Sequence, residues 1–461
     1  GDIPTQRKVK AYEVLKEQFS REIATFSAIP DVEWNERGSD NVGGRTRAIM
    51  FDPNDAEAKK VWAGAIAGGL WSNDDITNEG SKWIQQDDIM SNLVISSIAY
   101  DPLNTQNFYM GTGQGFAVSS IRGAGIWKSS NGGTNWTQLP STINSNFHYV
   151  QKIKVTTKGN VLAATTTGLF RSTNEGSTWT NTLEGQFGDI DISSDRSIYV
   201  TKGVRTSEGG IFKSVDDGST WTEITPEEGG SRTTVAIAPS NPDILYAVSA
   251  LTSNGGRDVA YFKKSIDAGI TWTDITIPLL VEIGSCEEDT DHYTRGQATF
   301  NLALEVHPED PEIVYAGGID NHRTMDGGET WEAISDWTGF NQCSDYAHAD
   351  NHEYQIRPGY PNSLLVANDG GMDYAADAGT ADRPNFERRV NGYNTMMFYY
   401  GAMVNEIGSN SMIAGAQDNG TQFMNGASAG INSSIKPKGG DGAYSFIDRD
   451  GAYFLASYVY N

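Results

Sequence analysis

The sequence predicts an all-β protein, a β-propeller of about seven to ten four-stranded blades with hairpin boxes, preceded by a short N-terminal helix. Three observations predict it. An eight-residue template recurs as SSNGGTNW (Ser129 to Trp136), STNEGSTW (Ser172 to Trp179), SVDDGSTW (Ser214 to Trp221), SIDAGITW (Ser265 to Trp272) and TMDGGETW (Thr324 to Trp331). A weaker copy runs from Ser72 to Trp83, and the Trp-to-Trp steps from there are 53, 43, 42, 51 and 59 residues. Such periods suit four short strands and their turns. Finally, short β-rich runs broken by Gly, Pro and Asn precede each copy, the pattern of strands and hairpins.

Residues 1–30 stand apart. Val9, Tyr12, Leu15, Phe19 and Ile23 step by 3, 3, 4 and 4, one face of an amphipathic helix expected to pack on the outside of the propeller that fills 31–461. In each box an Asp or Asn (Asn131, Asn174, Asp216, Asp267, Asp326) can fold its oxygen onto backbone N–H groups two residues on, and Gly supplies positive φ. The Trp (Trp136, Trp179, Trp221, Trp272, Trp331) anchors the hairpin by burying a large ring. The box role is structural.

Inner strands end in proline turns, as in Ala48 to Pro53, Ile98 to Pro102, Val235 to Pro239 and Leu304 to Pro308. Second strands follow (Phe108 to Gly111, Leu245 to Ala247, Val314 to Gly317), and third strands lead into the boxes (Gly125 to Lys128, Gly168 to Arg171, Gly210 to Lys213). Beyond the last good box, Tyr354 to Pro358, Phe398 to Asn405 and Tyr444 to Asp448 begin further blades. An unfinished last blade leaves unpaired edges. Either the N-terminal segment supplies the missing strand or, as expected here, the sequence is a fragment of a longer protein whose other domains would be partners.

Composition narrows the function. With 34 Lys+Arg against 59 Asp+Glu the net charge is −25, so a nucleic-acid backbone or an anionic membrane is not the expected partner. No run reaches the ~18 apolar residues of a spanning helix, so direct membrane insertion is not expected. The 51 glycines, 11 Trp and 20 Tyr are the opposite of a disordered composition. Cys286 and Cys343 are the two cysteines. They form one disulfide in an oxidising compartment, or remain two thiols in a reducing one.

The boxes resemble the Asp-box (BNR) repeats of sialidases, sortilin-like propellers and glycoside hydrolase family 74, over about residues 35–461. The runs NVGGR (Asn41 to Arg45), VWAGAIAGGLW (Val61 to Trp71), HADNH (His348 to His352), NDGG (Asn368 to Gly371), AQDNGTQ (Ala416 to Gln422) and GGDGAY (Gly439 to Tyr444) are similar to secreted sortilin-like propellers. The resemblance implies a secreted or bacterial cell-surface protein, exported by the type IX pathway. Family 74 carries a catalytic Asp before a Gly pair; aligned on Gly68 and Gly69, that position is Ile66, which cannot move a proton. The Arg-Ile-Pro run of sialidases is missing, with Arg45 and Arg47 the only arginines in a comparable early place.

In a four-stranded blade, loops alternate between two faces. Gln114, Asp320, His322, Asp369 and Asp418, with Arg45, His348, Asp350, His352 and Asp441 before inner strands, are therefore expected on the face opposite the boxes, as a ligand-binding mouth. His348, Asp350 and His352 alternate, so on an extended strand all three point one way and could hold a transition metal; lining a polar channel is the plainer alternative. Asp369, Asp418 and Asp441 sit in glycine-flanked turns, which they either cap or use as a carboxylate cluster. An inverting hydrolase would need two of them about 6.5–9.5 Å apart. Tyr393, Phe398, Tyr399, Tyr400 and Tyr444 could stack on sugars or peptides, or belong to the core. The acidic run Cys286 to His292, with Glu287 and Asp289, could take calcium or be a solvated loop. No cofactor is required. The expected function is recognition of a glycan, in particular a polysaccharide, or of an extracellular protein, as an adhesin or recognition module. The alternative is an inverting family 74-like glycoside hydrolase acting on β-linked polysaccharide with acids from Asp369, Asp418 and Asp441.

Overall fold

The computed structural model describes residues 6–11, 13–14, 37–86, 93–116, 120–204, 208–226, 230–251, 258–340, 343–406, 409–428, 430–449 and 451–459. Blade 1 is an antiparallel sheet of Thr46–Phe51, Val61–Ala65, Leu70–Asn73 and Trp83–Gln85, paired in chain order. Six more four-stranded sheets follow in the same up-and-down order. Their inner strands are Ile95–Asp101, Val150–Val155, Phe187–Ile192, Thr233–Ile237, Ala303–Val306 and Asn351–Gln355. Each inner strand packs on the next, and the seventh returns to the first, closing a seven-bladed ring.

The closing seam is made mainly by side chains, with a backbone bond from Trp83 N–H to the Asn391 carbonyl at 2.9 Å. Among the described residues every ring blade consists of four consecutive strands, with no strand exchanged between the two ends of the ring. Instead Ile49, Phe51, Val61 and Ala63 of blade 1 share a buried cluster with Leu365, Ala367, Met372 and Tyr374 of blade 7. Polar stitches reinforce it. The Trp83 indole donates to the Arg389 carbonyl at 2.7 Å, and Arg389 Nε donates to the Ile76 carbonyl at 2.7 Å. Arg357 Nε reaches the Ala58 carbonyl at 2.9 Å.

The boxes sit between third and outer strands, and their hydrogen bonds explain the template. Ser172 Oγ donates to Asn174 Oδ1 (3.0 Å) and accepts from Gly176 N–H (2.8 Å), while Asn174 Oδ1 accepts from Thr178 N–H (2.9 Å). The box glycine does more than permit φ +83° at Gly176. A Cβ there would lie 2.4 Å from Leu139 Cδ1, a side chain that blade 2 sends across. The equivalent Gly218 faces Leu162 of blade 3 at 2.9 Å. The boxes thus lock neighbouring blades together as well as turning the chain.

An eighth four-stranded sheet (Phe398–Met403, Met412–Ala416, Gly420–Met424, Ile435–Lys438) and a two-stranded ninth (Gly442–Ile447, Phe454–Tyr458) lie outside the ring and pack on each other. Repeat spacing alone left the blade count at about seven to ten; the ring closes at seven. Residues 38–41 join the eighth sheet to the ring, through the Gly38–Asn432 bridge and the Asn41 Nδ2 bond to the Ser434 carbonyl at 2.9 Å.

Residues 6–11 and 13–14 are helical. Val9 is buried with Met50, Trp62 and Trp127 at the joint of blades 1 and 2, and the Gln6 and Gln138 amides exchange hydrogen bonds. Tyr12, Leu15, Phe19 and Ile23 of the expected helical face lie outside the described residues. Cys286 and Cys343 form a disulfide, with Cα atoms 5.8 Å apart. Among the described residues no helix is long and apolar enough to cross a membrane.

Candidate functional site

Three neighbouring units bring charges to one end of the ring. Arg45 precedes the blade 1 inner strand, Asp369 occupies the turn after the second strand of blade 7, and Asp418 occupies the equivalent turn of the eighth sheet. Arg45 donates from Nε and Nη2 to Asp369 Oδ1 and Oδ2 at 2.7 and 2.8 Å, and from Nη2 to Asp418 Oδ2 at 2.8 Å. Its guanidinium lies 4.7 Å from the Phe300 ring centroid. His352 bonds Asp369 Oδ1 from Nε2 at 2.6 Å, and Asn301 Nδ2 donates to Asp350 Oδ1 at 2.7 Å. Asp441 Oδ1 accepts the Asp418 N–H at 2.8 Å, and His348 Nε2 reaches the Asp418 carbonyl at 3.2 Å.

Burial sets the protonation pattern. It would raise the Asp369 carboxyl, but Arg45 and His352 overcome it and hold the group well below the usual carboxylate range. Burial and the Asp369 charge instead push Asp418 up to about 10, against the pull of Arg45. The same two causes take Asp350 to about 7. Burial and the Arg47 charge push His352 down to about 3, so at neutral pH its Nε2–H donates to Asp369. The site therefore holds one ionised acid locked to Arg45 and, in Asp418, a neutral acid whose side chain is 22% exposed.

The residues expected to share the mouth divide into two groups. Arg45, His348, Asp350, His352, Asp369, Asp418 and Asp441 meet there. Asp320 is buried in blade 6, where it accepts the Trp337 N–H at 2.7 Å, and His322 bonds the Leu279 carbonyl at 2.9 Å beside Tyr293. Gln114 is buried in blade 2, its backbone bridged to Ile121.

The expectation that His348, Asp350 and His352 share one strand face is corrected. The strand begins at Asn351, and Asp350 takes φ +66°, so extended alternation does not reach back to His348. Among the described residues, the group of three side chains close enough to share an ion is Asp350, Asp369 and Asp418, with ligand atoms within 4.8 Å of one another. Neither histidine belongs to it, and neither do Glu287 and Asp289. Two of the three acids already accept from Arg45, so a divalent cation would have to compete with a fixed positive charge. The acidic run is no plain loop either: Glu288–His292 pairs with Leu279–Val281 as a hairpin.

Tyr393 leaves the list of mouth aromatics, since it is fully buried at the seam with its hydroxyl against Thr46 Oγ1. Phe398, Tyr399, Tyr400 and Tyr444 are exposed on the eighth and ninth sheets. Tyr400 and Tyr444 stack with centroids 4.1 Å apart. Sequence reasoning missed Arg232, Phe116, Phe300 and Asn301. A signal existed for Arg232, which stands before an inner strand as Arg45 does; the others lie on connecting segments with no repeat to mark them.

Beneath the mouth runs the central channel, lined by inner-strand side chains. Lys152 Nζ bonds Glu353 at 2.6 Å, and Lys154 lies 3.9 Å from Asp191. Burial, with the Asp191 charge, pushes Glu305 up to about 8.

No family model and no curated protein matches the chain. Solved structures do. The chain is similar to the GH74 xyloglucanase from Xanthomonas campestris, at 17% identity and TM-score 0.60, covering 89% of this chain and 63% of that one. It is also similar to an ancestral GH74 enzyme, at 18% identity and TM-score 0.60, covering 86% of this chain and 55% of that one. The chain spans less than two thirds of the length of either structure, and at these identities the likeness establishes the fold, a β-propeller.

Proposed function

We propose that this propeller binds a glycan through the mouth formed by Arg45, Asp350, Asp369, Asp418 and Asp441, as a secreted or bacterial cell-surface recognition module exported by the type IX pathway. The observation that carries the reading is that one small unit presents both a partly exposed Asp418, in the turn of the eighth sheet, and an exposed aromatic stack, Tyr400 of that sheet on Tyr444 of the ninth. Carboxyl and carboxylate groups exchange hydrogen bonds with hydroxyls, and aromatic faces pack on the apolar faces of sugar rings. The disulfide supports an oxidising compartment. Calorimetry against a panel of polysaccharides and extracellular proteins tests it. Asp418→Asn and Tyr444→Ala should each weaken binding by roughly tenfold, about 1.4 kcal/mol. Binding left intact by both, or found only with proteins, would refute it.

A second reading, a glycoside hydrolase, is favoured by one observation: Asp418 and Asp369 share Arg45, in surroundings that raise the first carboxyl and lower the second. Against an inverting mechanism stand ligand atoms within 4.8 Å, inside the roughly 6.5–9.5 Å that admits a water. Arg45 and His352 also hold the Asp369 oxygens. Reducing-end release from β-linked polysaccharides that disappears in Asp418→Asn would establish this reading over simple binding.

A further inference from the structure

The channel cavity, about 210 Å³, holds two arginines that the mouth does not use. Arg47 and Arg232 are 6% and 5% exposed and both line it. Their guanidinium groups lie 5.2 and 4.2 Å from the centroid of the same ring, Phe116. Backbone carbonyls of one segment hold them in place: Arg47 Nη2 donates to Phe300 O at 3.1 Å, and Arg232 donates to Thr299 O at 3.3 Å and Leu302 O at 3.1 Å.

Buried charges are ordinarily paired, because an unpaired one forfeits its hydration. The neighbours are: Arg45 is paired with Asp369, and Lys152 with Glu353. Among the described residues, neither Arg47 nor Arg232 makes an ion pair. Carbonyls accept hydrogen bonds from the two groups but cancel no net charge. Among the described residues two buried donors in the same cavity are also without partners, Arg47 Nε and Gln151 Nε2. The Gln151 oxygen is already engaged by Gly115 N–H at 3.3 Å, which leaves its amide nitrogen to serve the cavity. Burial lowers Arg232 to about 10 against the pull of Asp189 and Glu353, and burial with the Arg232 and Arg45 charges lowers Arg47.

We infer that the cavity beneath the mouth is a binding site for a small monovalent anion of halide or formate size, held by Arg47, Arg232 and Gln151. It is separate from the glycan reading, since neither arginine touches Asp369 or Asp418. The anion would supply the negative charge that closes the ring's centre, coupling blades 1, 3 and 5.

Crystals of the protein soaked in sodium bromide, with data collected at the bromine edge, test the site directly. An anomalous peak within hydrogen-bonding distance of Arg47 Nε and Gln151 Nε2 is expected, and its loss on co-soaking with formate would show that both anions share the site. In solution, bromide should raise the melting temperature to a plateau in the native protein. Arg47→Met and Arg232→Met, which keep the stem over Phe116, should lose that plateau. A cavity with no peak would overturn the inference whatever the variants' stability, as would folded variants that keep the full bromide shift.

Discussion

Replacing Arg45 with Met tests the mouth as a structural clasp. The substitution keeps the apolar stem over Phe300 and removes three charge-assisted hydrogen bonds of 2.7–2.8 Å. What remains is Asp369, 1% exposed, with His352 as its remaining side-chain partner. Removing one member of a buried ion pair costs about 3–5 kcal/mol, because the other charge stays buried. If the ring of residues 46–388 melts as one unit, at roughly 2.1 cal/mol/K per residue, this lowers the midpoint by about 4–7 °C. The sign of the pH dependence follows from Asp369, whose carboxyl is depressed in the folded protein. Its stabilising contribution is full above the unfolded value near ~3.9 and lost as pH falls through the lower folded value. Arg45→Met should therefore unfold at higher pH on the acid side than the native protein. Differential scanning calorimetry from pH 3 to 8, with Asp369→Asn and the double variant, completes a cycle whose coupling should reach about 1–3 kcal/mol. A loss below about 1 kcal/mol, or single effects that add within ~0.5 kcal/mol, would refute the argument.

Other substitutions probe other parts of the molecule. Asp418, raised to about 10, has the opposite sign: its unfavourable contribution grows as pH rises above the unfolded value near ~3.9. Asp418→Asn should accordingly be more thermostable than the native protein at pH 8 and converge with it near pH 4, as melting curves will show. Gly176→Ala places a methyl against Leu139 at φ +83° and should cost about 1–3 kcal/mol in urea unfolding; the same change at the exposed Gly426, which has nothing within 4 Å, should cost less. Reducing Cys286–Cys343, which closes 57 residues, should lower stability by up to about 4 kcal/mol by the chain-entropy estimate, read as a lower denaturant midpoint with dithiothreitol.

The repeat was the most legible part of the sequence because its chemistry is local. Ser172, Asn174 and Gly176 bond within five residues, so the hairpin is written in one short word. The seam was not legible, since Trp83 and Arg389, or Arg45 and Asp369, meet across some three hundred positions with no shared motif. Turn-face counting placed Asp369, Asp418 and Arg45 at one end because loops of a four-stranded blade must alternate. It could not separate them from Asp320 and His322, whose burial depends on packing inside blade 6. Strict alternation misread His348 to His352, where a single left-handed residue, Asp350, breaks the extended path. Tyr393 looked like a mouth aromatic by proximity in sequence, yet its ring fills the gap between Trp71 and Trp83.

A circle closed without a shared strand has a consequence for how the protein is made. Each blade can pair its own strands soon after leaving the ribosome, but Arg45 must wait 324 residues for Asp369. At about 5–20 residues per second that delay is on the order of 15–65 s. Throughout it Ile49, Phe51 and Val61 stand uncovered, a greasy flank on an otherwise finished nascent domain. The first blade thus completes its burial only when the seventh arrives.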